Sequence, residues 1–365
     1  MEADTHAEKK SIFALAVLLF LATALFGCGK KEADQGNASP ASNSPAEKKQ
    51  ATVLLGLLKL TGGARCISLW RKVFFKEENL DVQHKWFDSS NAVNVALASN
   101  SIDVAANGLT ADLYNMVAAG QKMSIVADKG KEEKGYQLSA VVIHKDSPIT
   151  KIEDLKGKKV GVTSIGSAGH YMIGNILEKH GMSLKDIELI SMNSTRAQME
   201  SLKGKNVDAV MLLSSNIAIT LKEGYGKVLA NVADEMSYQS TAILTSPKFT
   251  ADKDVAERFM RAYIKGTRYY HDAVLTKKDG QLVKGQNYDE VVKIVAKYTE
   301  QPEEIIRESF PYMDRDAKLT ADDIKTQIDW YLKEKIDYQA AGQQGNRGYR
   351  IVQCSVKDTG EISLR

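Results

Sequence analysis

The sequence predicts an α/β protein of two similar lobes facing each other across a hinged cleft, and two observations carry that expectation. The first is an internal repeat: residues 53–120 and 158–224 align at an offset of about 105. Leu97-Ala98-Ser99-Asn100-Ser101-Ile102-Asp103-Val104-Ala105 returns as Leu202-Lys203-Gly204-Lys205-Asn206-Val207-Asp208-Ala209-Val210, with Leu over Leu, Ile over Val and Asp over Asp. Thr61-Gly62-Gly63-Ala64 lies over Ile165-Gly166-Ser167-Ala168, and Leu109-Thr110 over Ser214-Ser215. The second observation is that short apolar strands alternate with helical stretches in each copy, the pattern of a largely parallel sheet. Two lobes in one chain leave a cleft between them, where small ligands bind.

In order, 52–59 is a short apolar strand, and Thr61-Gly62-Gly63 turns it into a helix ending near Asn79. Residues 80–86 alternate as a strand, and 89–99 are helical with Val93, Ala96 and Leu97 on one face. A buried strand at 102–106 leads to a helix over 110–119 that stops at Gly120. Two further strands, 123–128 and 138–144, precede a short helical turn at 152–157. The second copy then reads strand 158–163, helix 169–180, strand 187–191, helix 194–202, strand 207–212 and helix 216–223. A strand at 240–245 returns to the first lobe, followed by helices at 252–275, 288–298, 302–309 and 320–336. These assignments give lobe 1 as 52–146 plus 240–336, lobe 2 as 147–239, and a tail, 337–365, to which the sequence gives no role. Two crossings, near 145–150 and 236–242, form a hinge rather than a loose linker, and closure around a ligand is the expected motion.

Composition is that of a soluble globular protein, 43% hydrophobic and 26% charged. A net charge of +3 without a basic stripe argues against nucleic acid, and the charged runs at 129–134 and 156–159 read as solvated faces. Cys28, Cys66 and Cys354 make neither a disulfide framework nor a zinc motif. At the N-terminus, Lys9-Lys10 precede an apolar run over 12–26 that ends at Gly27-Cys28-Gly29. These are the parts of a secretion signal over 1–28, short for a spanning helix, which needs ~20 apolar residues; an uncleaved anchor helix is the alternative. Leu25-Phe26-Gly27-Cys28 resembles the bacterial lipobox, which implies a lipidated Cys28 as the mature N-terminus. The Ser/Pro/Asn-rich stretch 29–51 has too little apolar area to offset its chain entropy and reads as a disordered tether. Anchor and tether place the folded body outside the cytoplasmic membrane.

Asp154-Leu155-Lys156-Gly157-Lys158-Lys159-Val160-Gly161-Val162, then Gly166-Ser167, then Val207-Asp208-Ala209 resemble the extracytoplasmic solute-binding proteins of ABC importers. Within them the sequence is most similar to the nitrate, sulfonate, taurine and thiamine-pyrimidine group, the NMT1/THI5-like type, over about residues 52–335. The resemblance implies a periplasmic-binding-protein fold, type II-like, without catalytic activity, that hands its ligand to a membrane permease driven by an ATPase. A monomer with no cofactor and no metal is expected. Trp86-Phe87-Asp88-Ser89-Ser90 followed by Ala96-Leu97-Ala98-Ser99 is similar to the taurine branch, with Ser90 where that branch tends to carry Gly. Pyrimidine-synthesising relatives carry closely spaced cysteines, which Cys66 alone does not reproduce.

Strand C-terminal ends should face the cleft, and the repeat pairs them. The first pair sets Thr61, Gly62 and Gly63 against Ser164, Gly166 and Ser167: turns opening a helix whose N–H groups and dipole suit an anion, or simply turns that need glycine's φ. Arg65 follows one turn, as a clamp for a sulfonate or carboxylate or as a surface ion pair. His170 follows the other, as a ligand group or a packed, hydrogen-bonded histidine. The second pair is Asp88 and Ser89 with Asn193 and Ser194, either ligand contacts or helix caps; an acid at 88 would favour a ligand amine. The third sets Gly108 and Thr110 against Ser214, with Gln239 near the return crossing. Trp70 and Trp86 either flank an apolar ligand body or pack in the core, and Asp103 and Asp208 read as structural.

The function expected is capture of a small organic anion or zwitterion: a sulfonate, taurine or a nitrate-like ion. A thiamine-pyrimidine precursor or other heterocycle is the alternative ligand. A same-fold enzyme is disfavoured because there is no metal-ligand cluster, G-x-S-x-G or nucleophile–base pair in the sequence. A sensor ectodomain is disfavoured because no second membrane segment follows residue 28.

Overall fold

The computed structural model describes residues 49–58, 74–87 and 89–336, with strand residues 350–351, 354–356 and 362–364 beyond them. The first copy of the repeat contributes β1 (Ala51–Leu58), β2 (Leu80–Phe87), α1 (Ser90–Ala98), β3 (Val104–Gly108), α2 (Ala111–Ala118) and β4 (Ser124–Glu132). Then come β5 (Ser139–His144), β6 (Lys159–Val162), α3 (Ala168–Lys179), β7 (Glu188–Ser191), α4 (Thr195–Lys203), β8 (Ala209–Leu213), α5 (Ser214–Lys222) and β9 (Gly226–Asn231). The chain continues through α6 (Val232–Glu235), β10 (Tyr238–Thr245), α7 (Pro247–Ala251) and α8 (Lys253–Val274). A small hairpin, β11 (Lys277–Lys278) and β12 (Gln281–Leu282), precedes α9 (Tyr288–Thr299), α10 (Glu303–Arg307) and α11 (Ala321–Lys333). Short strands β13 (Arg350–Ile351), β14 (Cys354–Val356) and β15 (Ile362–Leu364) follow.

The duplication is visible in the strand order. One sheet runs β13-β4-β10-β3-β1-β2 and the other β7-β6-β8-β5-β9. From one edge the sheets match: β2, β1, β3, an antiparallel β10, then β4; and β7, β6, β8, an antiparallel β5, then β9. Each lobe's antiparallel strand is the one that the chain enters after crossing from the other lobe. The repeat-defining aspartates do the same task in both. Asp103 accepts from Leu54 N at 2.9 Å and Asp208 from Lys159 N at 2.8 Å, each 49 residues away. Each fastens the turn before its strand to the start of a neighbouring strand, at about 1 kcal/mol.

Two expectations change here. The first crossing falls between Glu132 and Ser139, so β5 belongs to the second sheet and not to lobe 1. A continuously buried apolar strand shows that it is central without showing in which sheet. The second change is in the charged run 129–134. β4 carries Asp128 and Glu132 at 0% exposure and Lys129 at 6%, so half of the expected solvated face is interior. β9 was not foreseen, because all six of its residues are half-buried and show no alternation.

The core follows from the apolar faces. In β1, Val53, Leu55 and Leu57 are fully buried on one side of the first sheet, where α8 presents Phe259, Tyr263 and Tyr270 at helical spacing. On the other side a single cluster runs from Val93 and Leu97 of α1 through Tyr171 and Ile173 of α3 to Trp330 and Tyr331 of α11. Helix α11 therefore packs on elements of both lobes. A Cβ on Gly174 would sit 2.3 Å from Trp330 Cζ2, so glycine there lets the indole lie directly on α3. Among the described residues no helix is long and apolar enough to cross a membrane.

Candidate functional site

Between the two sheets lies a cavity of about 710 Å³. Its walls include the N-terminal ends of four helices: Ser89 and Asn91 at α1, Thr110 and Asp112 at α2, Ser164, Ser167 and Ala168 at α3, and Ser214 and Ser215 at α5. Each follows the C-terminal end of a strand, so the alternating strand–helix sequence itself aims these termini at one volume. First-turn amides and the helix dipoles make the junction electropositive. Lys129 of β4 adds a cationic side chain to the wall, and Ser139 at the start of β5 adds a hydroxyl. The opposite wall is mostly apolar and comes from the C-terminal helical segment: Tyr270, Val295, Ile306, Phe310 and Pro311, with Leu58 and Leu213 beside them and Glu300, Gln301 and Ser309 as its polar members.

The sequence-derived residues divide into three groups. Ser89, Gly108, Thr110, Ser164, Gly166, Ser167 and Ser214 all line this cavity. Thr61, Gly62, Gly63, Arg65 and Asp88 lie outside the described residues, as do Cys28, Cys66 and Trp70. His170, Asn193 and Gln239 are not wall residues, and each has an evident physical reason. His170 is 3% exposed; its Nδ1 accepts from Gly166 N at 3.0 Å and its ring meets Trp330 edge-on at 5.7 Å. Burial pulls its pKa down to about 4, so it is a neutral acceptor that shapes the Gly166 turn. Asn193 is exposed in the left-handed region (φ 61), and its N–H donates to Thr163 O at 2.8 Å. Gln239 is fully buried and locks the return crossing: it donates to the Asp128 carboxylate and accepts from Thr320 N at 3.1 Å. Trp86 is 40% exposed on β2 and belongs to neither the core nor the wall.

Several wall groups have local duties as well. Ser89 and Ser167 cap their helices, accepting from Ala92 N (3.2 Å) and His170 N (3.3 Å). Gly166, at φ 80, uses its N–H on His170, while its carbonyl accepts from Ala111 N of α2 at 3.2 Å. That bond joins the two lobes at the cavity edge. A Cβ on Gly166 would lie 3.1 Å from Ala111 Cβ, so glycine permits both the turn and the close approach. A second link runs from Ser214 Oγ to Ser309 O at 3.1 Å. By contrast, the Thr110 and Ser139 hydroxyls and the Asn107 carbonyl oxygen, all of wall residues, are buried without a partner.

Sequence reading missed Lys129, Ser139 and the whole apolar wall. The available signal for Lys129 was a charge set in an otherwise apolar strand, 124–128, and the wall carried none. Asp128, next to Lys129, is a structural acid: burial raises its pKa to about 6 although Gly130 N (2.8 Å), Asp314 N (2.7 Å) and Gln239 donate to it.

Two α/β lobes of one topology, crossed twice by the chain and closed around a cavity, are the periplasmic-binding-protein fold, type II-like. The chain belongs to the NMT1/THI5-like family, whose model matches residues 70–273. It is 24% identical over 260 residues to a "Putative aliphatic sulfonates-binding protein" of Bacillus subtilis (strain 168), covering 70% of this chain and 73% of that one. It is 30% identical over 165 residues to a "Putative thiamine biosynthesis protein" of Haemophilus influenzae, covering 45% and 50%. Among solved structures it resembles the alkanesulfonate-binding protein SsuA from Xanthomonas axonopodis pv. citri bound to MOPS. The TM-score is 0.61 at 18% identity, over 79% of this chain and 94% of that one.

Proposed function

We propose that this chain is the substrate-binding component of an ABC importer, and that it captures a small organic anion with an apolar body, such as an alkyl or aryl sulfonate. The observation that carries the reading is the convergence of four helix N-termini and Lys129 on one face of a cavity whose other face is mostly apolar. The head group would be desolvated against amides and hydroxyls, and the body against Tyr270, Val295 and Phe310. A volume of about 710 Å³ suits a ligand with a body better than a bare nitrate-sized ion, which leaves most of it unfilled. The sulfonate-binding names of the relatives agree with this. A pyrimidine ring against the same aromatic wall is the second reading, favoured by the thiamine-related relative.

The chain acts by binding in this reading: among the described residues the polar part of the wall is hydroxyls and amides with Lys129, Asp112 and Glu300, and holds no histidine or cysteine. Secretion, acylation of Cys28 and a tether over 29–51 complete the proposal, with the folded body acting as a monomer beside its permease. Titration calorimetry and thermal shift against alkanesulfonates, an aminosulfonate, an arylsulfonate, nitrate and an aminopyrimidine test the ligand. A bound ligand at 100 times its Kd stabilises by about 2.7 kcal/mol. A panel in which no solute binds sinks the capture reading, and a panel in which only the pyrimidine binds replaces the sulfonate. For the anchor, metabolic labelling with an alkyne fatty acid should mark the wild type and not Cys28→Ser.

A further inference from the structure

The crossing between β4 and β5 holds a group that the capture reading does not use. Glu132, the last residue of β4, is 0% exposed, and neither carboxyl oxygen has a hydrogen-bond partner among the described residues. The hydroxyl and the backbone N–H of Ser139, the first residue of β5, lie beside it; Ser139 is also 0% exposed, and its hydroxyl too is unpartnered. Ser139 is a wall residue of the cavity. The pair thus flanks the six-residue crossing, and Ser139 is the member that belongs to the cavity wall.

The charged and titratable groups around it are few. β4 contributes Asp128, Lys129 and Lys131, and Glu133 follows it, with Lys131 3.9 Å from both Glu133 and Asp314. β10 contributes Tyr238, directly opposite Glu132 in register, and α11 contributes Asp323, which accepts from Gln239 N at 2.7 Å. None of these is a salt-bridge partner of Glu132. Burial raises the Glu132 pKa to about 8, against a partial lowering by Ser139, so the carboxyl is protonated at neutral pH. Tyr238 is pushed well above its ordinary value by burial and stays neutral, while Asp128 titrates lower, at about 6.

We propose that Glu132 is a positioning residue for anion capture: its carboxylic acid proton is donated to Ser139 Oγ, which turns the Ser139 hydroxyl hydrogen toward the ligand's anionic head. A serine oxygen that accepts one proton has its own hydrogen to give. When Glu132 ionises, it takes that hydrogen instead and leaves a serine lone pair, backed by a negative charge, facing the anion. Anion binding and retention of the Glu132 proton are therefore linked. This rests on the reading of the cavity as an anion site.

The experiment is titration calorimetry of the purified chain with 1-hexanesulfonate, whose head stays ionised throughout, from about pH 6 to about pH 10. For the wild type, Kd should be flat on the acid side and then rise by up to tenfold per pH unit above about 8. Glu132→Gln keeps a donor in place of the acid, so it should bind within about threefold of wild type at neutral pH and lose the rise. Ser139→Ala should weaken binding about tenfold and flatten the profile. Loss of the rise in Glu132→Gln also separates Glu132 from Lys129, whose titration would survive that change. Hexanesulfonate binding with a flat wild-type profile, or a rise retained in Glu132→Gln, overturns the proposal alone. No binding at any pH overturns the anion reading, and this inference falls with it.

Discussion

The two lobes share a strand order and an aspartate bond but differ in what covers their fifth strands, β4 and β9. In lobe 1, β4 is buried at eight of nine positions, under β10 and the segment leading to α11. In lobe 2, β9 is half-exposed at all six, and its Lys227 reaches the Ser147 carbonyl at 2.9 Å. Duplication made a symmetric frame; the segment leading to α11 breaks the symmetry by covering β4, while nothing comparable covers β9 among the described residues. The cationic wall residue, Lys129, sits on the covered strand. In the proposed reading, helix N-termini supplied by both copies would give a general affinity for anions, and residues belonging to one copy alone would give it direction.

The largest break of this arrangement should come from Trp330→Ala. It removes the ring on which α11 meets Gly174 of α3, and should lower unfolding free energy by about 3–5 kcal/mol in denaturant titration. If the loss is below about 1 kcal/mol, α11 does not couple the lobes. Next, Lys129→Met should weaken anion binding by about 2 kcal/mol or more, roughly thirtyfold in Kd by calorimetry, while Lys227→Met on β9 leaves it unchanged. Equal effects would show that cavity charge is shared between the lobes.

A third prediction sets the lobes apart by pH. Glu132 and Asp128 of lobe 1 have folded pKa values above their unfolded ones, at about 8 and about 6. Their contribution to stability is complete below the unfolded values and is lost as pH rises through the folded ones. His170 of lobe 2 has a folded pKa lowered to about 4, so its contribution is present above its unfolded value of 6.5 and lost as pH falls toward 4. Each group gives a slope of at most about 1.4 kcal/mol per pH unit. Denaturant titrations should show Glu132→Gln removing a fall in stability as pH rises from about 4.5 to about 8, and His170→Asn removing a fall as pH drops from 6.5 to about 4. The smallest effect separates the two aspartates. Asp103→Ala should cost about 1–2 kcal/mol at the part-buried Leu54 amide, and Asp208→Ala less than about 1 kcal/mol at the exposed Lys159 amide. A reversed order would show that the copies do not use this bond alike.

The sequence made the frame legible because a repeat and a strand–helix alternation are local signals. Asp103 and Asp208 could be read as structural from their matched positions, and Ser89, Thr110, Ser164 and Ser214 could be placed at the cleft because each follows a strand. Gln239 misled because its polarity suggested a ligand, whereas it satisfies a buried acid; for His170 the structure takes the packed, hydrogen-bonded alternative that the sequence left open. Lys129 and Ser139 were missed because a lysine in a charged run and a serine opening a strand look like surface until something is packed over them.

By itself the sequence determined the two-lobed α/β plan, the pairing of its turns and the chemistry of helix N-termini facing a cleft. Those follow from periodicity and residue type, which are properties of neighbours along the chain. Tertiary structure alone decided which sheet takes β5, which charges of β4 are interior, and that Tyr270, Val295 and Phe310 complete the cavity. These depend on contacts between segments far apart in the chain, Val141 of β5 with Met211 and Ile243 with Ala127 of β4, where burial changes a residue's chemistry without changing its letter.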